Sequence, residues 1–283
     1  MRKIAEIDID DTLIPWETPH AKAYPAMAEA LSKATKIDLD EIIRQIKVVN
    51  TEHGTIEYTP LVQSMEAFRN ENKQRILELI DIAYQAKNSA VKGLNQPYQG
   101  IESLLKKLKN EMECVHARSD APVYLANKRL KQAKLIQYFN LLFATKSPPD
   151  ELFPSKYHKG TFAVPYHVVD KPKPHTNMQA CTILYRKSIS ENFFMIGNSC
   201  YSDEGFARIN GMLFFKTNWD NGTKEDRAIL RKFAPEKALS RNIGTDYTES
   251  LITATGFEKI EVETPYELIQ KLIKMKILTK ITE

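Results

Sequence analysis

The sequence lacks long apolar runs, a surplus of either charge, and any cysteine-rich segment. Since no stretch of about 18 consecutive apolar residues occurs, no membrane-spanning helix is expected. The 40 basic and 36 acidic residues give a formal net charge of +4, which is too small to indicate nucleic acid or a membrane surface as a partner. The chain of 283 residues, 42% of them hydrophobic, is typical of a globular protein with one large domain or two small ones.

Only three cysteines are present, Cys114, Cys181 and Cys200. They are odd in number, far apart and without metal-ligand spacing, so free thiols in a reducing compartment are the simplest interpretation. The N-terminal residues become charged too early for a signal peptide. We therefore expect a cytoplasmic protein, while the sequence does not indicate its oligomeric state.

The spacing of apolar residues predicts two kinds of structure along the chain. Residues 4–9 form a short apolar run that ends in acids, which indicates a buried strand. Residues 18–95 show helical spacing without a convincing strand, with Asp38 and Asn72 as helix caps. After Gly100, strands are predicted at 114–117, 141–144, 193–196 and 213–215, separated by helical segments that include 178–184. Alternating strands and helices indicate a mostly parallel sheet with helices on both faces.

Two segments interrupt this alternation. The segment from Lys146 to Asp170 contains four prolines and four aromatic residues. Long ordered loops in compact domains are often functional, and a surface insertion without a role is the alternative. The segment from Asn218 to Gly256 begins with polar residues, and only a helix near Lys224–Phe233 is predicted within it.

The strongest candidate for chemistry is the acidic segment that runs from Asp8 to Thr12 at the end of the first strand. Side chains alternate along an extended strand, so Asp8 and Asp10 can project to one side as the chain leaves the sheet. Ligand sites in open α/β sheets lie at this end of the strands. One carboxylate can act as a nucleophile and the other as a general acid and base, if a cation or a proton separates their roles. A solvated acidic turn is the alternative.

This segment resembles the first motif of the haloacid dehalogenase superfamily, which is Asp-x-Asp-x-Thr after a hydrophobic strand. Each match is weak alone, but further segments resemble the other motifs in the right order. They are Ser119 after the strand at 114–117, the lysine of Lys171-Pro172-Lys173-Pro174, and residues 197–203 after the strand at 193–196. Lys171 precedes the first proline and is the better match for the motif lysine, with Lys173 as the less favoured substitute.

The resemblance implies a Rossmann-like, mostly parallel α/β sheet formed by residues 1–14 and 96–283. Residues 15–95 would form an inserted helical cap of the C1 type, which closes over the site and excludes water. Trp16, Glu17 and His20, where the chain enters this cap, either contact the substrate or pack as a hinge.

The resemblance also implies a phosphatase that depends on Mg²⁺ and acts on a small phosphorylated substrate. Asp8 would attack phosphorus and form an aspartyl-phosphate, and Asp10 would be the general acid and base. Ser119 and Lys171 would neutralise the phosphate oxygens. The residues expected to hold Mg²⁺ are Asp8, Asp10, Asn198 and Asp203.

Asn198 departs from the superfamily pattern, because many relatives have Asp at this position. An amide offers an oxygen without a charge, so we expect weaker Mg²⁺ binding. The departure leaves open a catalytically weak or inactive protein that serves in binding or interaction. Dehalogenases and phosphomutases share the motifs, but dehalogenases usually lack the acid at Asp10. The natural substrate is not readable from the sequence.

Overall fold

The computed structural model describes residues 3–147, 162–174, 193–219, 222–235, 239 and 258–279. Seven parallel strands of this part of the chain form one sheet, in the order β4-β3-β2-β1-β5-β6-β7. The strands are β1 (Ile4–Asp8), β2 (Cys114–Pro122), β3 (Leu141–Thr145), β4 (Tyr166–Val169), β5 (Phe193–Gly197), β6 (Leu213–Thr217) and β7 (Lys259–Val262). The predicted α/β class with a mostly parallel sheet is confirmed.

The strands at the centre of the sheet were predicted because their residues are buried and therefore apolar. Every residue of β1 and β5 is buried, as is typical of parallel strands that are covered by helices on both faces. The two outermost strands, β4 and β7, were not predicted. Three of the four residues of β4 are exposed, so an edge strand here lacks the apolar pattern. Residues of the segment from Lys146 to Asp170 thus extend the sheet as β4, and residues 148–161 of this segment lie outside the described part of the chain.

Nine α-helices are described. They are α1 (Glu17–Thr35), α2 (Leu39–Glu52), α3 (Leu61–Ser64), α4 (Lys73–Ala90), α5 (Ile101–Glu111), α6 (Val123–Gln132), α7 (Gly205–Ile209), α8 (Lys224–Phe233) and α9 (Pro265–Lys274). Asp38 and Asn72 accept hydrogen bonds from backbone amides in the first turns of α2 and α4, which confirms both predicted caps. The helix predicted at 178–184 lies outside the described residues, as does Cys181. Cys114 and Cys200 are free thiols.

Helices α1 to α4 all lie between β1 and β2 in the chain. Their apolar side chains form a cluster that is distinct from the two apolar clusters that contain the strands. Tyr24, Ile46 and Leu79 belong to this helical cluster. Leu230 and Phe233 of α8 join it from the C-terminal half of the chain. The division into a core and a cap at residues 15–95 stays a prediction, and α8 packs against the helices of that segment.

Among the described helices, none combines the length and the apolar character that a membrane crossing requires.

A fully buried ionic cluster joins the two central strands β1 and β2. The carboxylate of Glu6 lies 2.7 Å from Nδ1 of His116 and accepts a hydrogen bond of 3.0 Å from Nε of Arg118. The guanidinium group of Arg118 packs against the rings of Phe143 and Phe206, at 4.2 and 4.6 Å from their centroids. Burial alone would raise the pKa of Glu6, but the charges of Arg118 and His116 lower it to about 2.

Replacing Glu6 by Gln should reduce the free energy of unfolding by about 3–5 kcal/mol at neutral pH, because it leaves a buried cation without its partner. The pKa of Glu6 is about 2 in the folded state against an ordinary value of 4.5. Its stabilisation is therefore complete above that ordinary value and is lost as the pH falls towards 2. Urea denaturation at several pH values should show the gap between wild type and Glu6→Gln shrinking in acid.

The matched control is Glu29→Gln, since Glu29 is an exposed acid of α1. Substitutions at such surface positions usually change stability by less than about 0.5 kcal/mol. A stability gap for Glu6→Gln that stays constant from neutral to acidic pH would contradict the proposed charge network.

Candidate active site

Acidic side chains gather where the chain leaves the sheet at the carboxyl end of β1. Asp8 is the last residue of β1 and is only 6% exposed. Asp10 and Asp11 follow in a turn in which Asp11 has a left-handed φ of 56°. The carboxylate of Asp11 accepts a 2.8 Å hydrogen bond from the backbone amide of Trp16, next to the start of α1. Asp11 thus shapes the turn, and Asp8 and Asp10 are left for chemistry.

Lys173, rather than Lys171, lies against the acids. The Lys173 ammonium donates to Asp8 Oδ1 at 2.5 Å and also to Asp203 Oδ1. Lys173 is 5% exposed, whereas the Lys171 side chain is exposed to solvent. The expectation that Lys171 is the motif lysine is therefore wrong. The cause is a long-range contact, since the backbone amide of Lys173 donates a 2.8 Å hydrogen bond to Asp120 at the end of β2, which brings the second lysine into the site.

Asp203 reaches the site from a π-helical turn, Cys200–Glu204, that follows β5. Its second carboxylate oxygen accepts a 3.0 Å hydrogen bond from the backbone amide of Ser199. The side chain lies directly over Gly197, where an added Cβ would approach the Asp203 carboxyl carbon to 2.4 Å. A glycine at this position is therefore required for Asp203 to face the ammonium group that it shares with Asp8.

Hydroxyl groups orient the two acids of the first strand. Thr12 donates a 3.0 Å hydrogen bond to Asp8 Oδ2, and its oxygen lies 3.4 Å from the side-chain oxygen of Asn198. Ser119 donates to Asp10 Oδ2 at 3.3 Å. The structure thus brings together Asp8, Asp10, Ser119, Asn198 and Asp203, the predicted site residues other than Lys171.

Two residues that the sequence analysis missed hold Asp10 in place. Arg129 of α6 donates a 2.8 Å hydrogen bond to Asp10 Oδ2, and its other nitrogen bonds Glu57 in the connection between α2 and α3. Glu57 also accepts a 3.1 Å hydrogen bond from the indole of Trp16 and lies 3.1 Å from Nε2 of His20. Arg129 is 119 residues from Asp10 in the chain, so no local motif signals their contact.

Burial shifts the pKa values of both acids upwards. Burial raises the pKa of Asp8 well above its usual range, and the negative charge of Asp203 adds to this effect, although Lys173 opposes it. Burial also raises the pKa of Asp10 to about 6, against the opposing charge of Arg129. Lys173 remains a cation, because Asp203 and Asp8 raise its pKa despite its burial.

The donor set around Asp8 suits a hard divalent cation. Asp8, Asp10 and Asp203 offer carboxylate oxygens and Asn198 offers an amide oxygen, which are the ligand types that Mg²⁺ prefers. Asp10 Oδ1 is buried without a hydrogen-bond partner, so it is an oxygen with free coordinating capacity. Within the described ranges, no three Asp, Glu, His or Cys side chains converge closely enough to hold an ion by themselves. An ion here would therefore keep several water ligands.

The acids lie in the wall of a cleft of about 500 Å³. The cleft is lined by Asp8, Asp10, Lys173 and Asp203 and also by Trp16. Of the three residues where the chain enters the helical segment, Trp16 therefore faces the cleft. His20 lines a neighbouring cavity. Glu17 is buried and accepts a 2.9 Å hydrogen bond from Arg227 of α8, so it packs as a structural contact.

Replacing Lys173 by Met should destabilise the protein by about 3–5 kcal/mol when EDTA keeps divalent cations away, since two buried carboxylates then face each other without a cation. The pKa of Asp8 is already raised and would rise further, so the folded state would bind a proton more tightly than the unfolded state. Stability of the variant should therefore increase as the pH falls. Urea denaturation measures this, and Lys171→Met is the matched control with a change below about 0.5 kcal/mol. Equal losses in the two variants would contradict the assignment of Lys173.

No family model matches the chain, and no curated protein matches it in sequence. Solved structures match over nearly the whole chain. A phosphatase of the haloacid dehalogenase (HAD) type from Thermococcus onnurineus is 18% identical, with a TM-score of 0.54 and coverage of 95% of this chain and 97% of that chain. A 2-haloacid dehalogenase from Pseudomonas syringae pv. Tomato is 14% identical, with a TM-score of 0.57 and coverage of 97% and 100%. A putative beta-phosphoglucomutase from Thermotoga maritima is 17% identical, with a TM-score of 0.54 and coverage of 96% and 99%. The chain therefore has the haloacid dehalogenase-like fold.

Proposed function

We propose that this protein is a phosphatase that depends on Mg²⁺ and hydrolyses a small phosphorylated substrate through a covalent intermediate on Asp8. The observation that carries the proposal is the pairing of two acids with different surroundings. Asp8 is held by Thr12 and Lys173, while Asp10 has a pKa of about 6. A fixed carboxylate beside a second carboxyl group that titrates near neutral pH provides a nucleophile and a general acid and base.

The first step is attack by an Asp8 carboxylate oxygen on phosphorus. The bond from phosphorus to the leaving oxygen breaks, and Asp10 gives that oxygen its proton. In the second step, Asp10 takes a proton from water, which attacks the aspartyl-phosphate and releases inorganic phosphate. The Lys173 ammonium contacts Asp8 and the Ser119 hydroxyl contacts Asp10, so both groups would stabilise charge on the phosphoryl oxygens.

Asp8, Asp10, Asn198 and Asp203 are the residues that would hold Mg²⁺ in this proposal. The bound ion would supply positive charge that balances the phosphoryl oxygens and the clustered acids. Burial, together with the like charges of Asp203 and Asp10, raises the pKa of Asp8. This supports the proposal, since a bound cation would favour the ionised form that a nucleophile needs. Asn198 contributes no charge, so the expected affinity for Mg²⁺ is lower than with Asp.

The size of the cleft supports a small substrate. Its volume of about 500 Å³ falls in the range of about 300–1,000 Å³ that small-molecule sites occupy. Trp16 offers an aromatic surface beside the acids, where the leaving group would lie. The resemblance to a dehalogenase structure concerns the fold, and the position of Asp10 beside Asp8 favours phosphate chemistry, which needs an acid for the leaving oxygen.

The direct test is turnover of p-nitrophenyl phosphate by the purified protein with Mg²⁺ and with EDTA. Release of nitrophenol that requires the metal supports the phosphatase. Release of halide from a 2-haloacid in the presence of EDTA would instead support a dehalogenase, and the absence of both reactions would support a binding protein.

The two acids should fail in different ways when each is replaced by its amide. Asp8→Asn should abolish turnover of every ester, because an amide is not a nucleophile for phosphorus. Asp10→Asn should lower the rate by about 10²–10⁴-fold for alkyl phosphates, the usual contribution of a general acid and base. The loss should be smaller for aryl esters with good leaving groups, which need little protonation. A comparison of kcat/KM over a series of leaving groups measures this, and equal losses across the series would contradict the role of Asp10.

The pH dependence should report the contact between Arg129 and Asp10. As general acid, Asp10 must be protonated, so kcat/KM for an alkyl phosphate should fall as the pH rises through its pKa. The charge of Arg129 opposes the rise of that pKa. Arg129→Gln should therefore move the falling limb to higher pH, whereas Arg129→Lys, which keeps the charge, should leave it nearer the wild-type position. A falling limb that does not move in Arg129→Gln would separate Arg129 from the titration of Asp10.

A further inference from the structure

A second cavity of about 520 Å³ lies beside the catalytic cleft. Its walls come from α1, α3, α4 and α6 and from the connections that precede α3 and follow α4. Glu57, Tyr58 and Thr59 line both spaces, whereas Asp8 and Asp10 line only the cleft. The cavity is therefore a space of small-molecule size that the two catalytic acids do not line.

Basic side chains outnumber acids in the lining of this cavity. Its basic residues are Lys87, Lys92, Lys128 and Arg129, and Glu57 is the acid among the described residues that line it. Glu57 forms an ion pair with Arg129 and also contacts Trp16 and His20. Burial lowers the pKa of His20 despite its contact with Glu57. Positive charge in the cavity is therefore not balanced by the side chains around it.

Lys87 is the basic side chain of the cavity whose surroundings balance its positive charge least. Its ammonium lies 4.9 Å from the centroid of the Tyr24 ring. No carboxylate of the described residues forms an ion pair with it. Burial lowers the pKa of Lys87 to about 8, and the positive charges of Arg129 and Lys128 contribute, while Glu57 opposes them. Lys87 is half-buried, and an ammonium partly removed from water without a counter-ion costs free energy, which a bound anion would offset.

Lys128 of α6 completes a pair of cations at the cavity. Its ammonium donates a 3.2 Å hydrogen bond to the side-chain oxygen of Asn88, which carries no charge. Apolar side chains of α1 and α3, including Met27, Leu61 and Val62, give the same cavity a hydrophobic part. A ligand that satisfies both parts has an anionic end and an apolar body.

We propose that this cavity is a second binding site, which takes a small organic anion with a phosphate or carboxylate group held by Lys87 and Lys128. The apolar body of the ligand packs against the wall formed by Met27, Leu61 and Val62. Glu57 and Arg129 line this cavity, whereas Asp8 and Asp10 do not, so the site goes beyond the proposed hydrolysis and does not depend on it.

Trace amine labelling tests this site directly on the full chain. The wild-type protein is treated with a low amount of acetic anhydride near pH 8, and peptide mass spectrometry gives the labelling rate of Lys87 relative to the exposed Lys22. Inorganic phosphate and hexanoate are the two probes. At saturation, at least one probe should slow the labelling of Lys87 severalfold. Hexanoate acting alone indicates a carboxylate with an apolar body, and phosphate acting indicates a phosphate group.

Two variants on α6 locate the protecting anion. Lys128→Gln should weaken the protection of Lys87, because it removes the second cation. Lys131→Gln is the control, since Lys131 belongs to the same helix but does not line the cavity. Failure of both probes to slow the labelling of Lys87 would overturn the proposal. Protection that is unchanged in Lys128→Gln would overturn it as well, because it would indicate an anion bound in the catalytic cleft. Neither measurement requires turnover, so the outcome is independent of the phosphatase test.

Discussion

One ammonium group, that of Lys173, holds together the carboxylates of Asp8 and Asp203 at the carboxyl ends of two adjacent strands. Without that cation, two buried negative charges would face each other in a medium that screens them poorly. Much of the surrounding structure maintains the contact. Asp120 fixes the backbone of Lys173, and Gly197 leaves the space that the Asp203 side chain occupies.

A second set of ion pairs, from Asp10 through Arg129 to Glu57, joins the helical segment to the sheet. Arg129 bonds Asp10 on one side and Glu57 on the other, so the orientation of the proposed acid depends on a residue from between α2 and α3. Burial alone would raise the pKa of Glu57, but the charge of Arg129 and the contact with His20 hold it well below its usual range. Any movement of the helices relative to the sheet would therefore change the surroundings of Asp10.

The sequence predicted those features that depend on neighbours in the chain. The apolar run before Asp8, the spacing of Asp8 and Asp10, and the caps Asp38 and Asn72 are local, and the structure agrees with them. The choice between Lys171 and Lys173 was wrong, since a hydrogen bond to a distant strand decides it.

Other features depend on contacts that no local pattern contains. Arg129 reaches Asp10 from α6, and Glu57 bonds Arg129 from the connection between α2 and α3. Arg118 and its partner Glu6 are 112 residues apart in the chain. The edge strand β4 escaped prediction because its side chains are mostly exposed. Burial patterns reveal the centre of this sheet, whereas charge pairing between distant segments becomes visible only in three dimensions.

The central claim is that phosphorus becomes covalently attached to Asp8, and trapping that intermediate tests it most directly. Asp10→Asn protein with Mg²⁺ would be mixed with an aryl phosphate and quenched rapidly in acid, and mass spectrometry would locate any added phosphoryl group. The account predicts one phosphoryl group on the peptide that contains Asp8, because the water that should remove it is no longer activated. A phosphoryl group on another residue, or the same adduct in protein that also carries Asp8→Asn, would contradict the account.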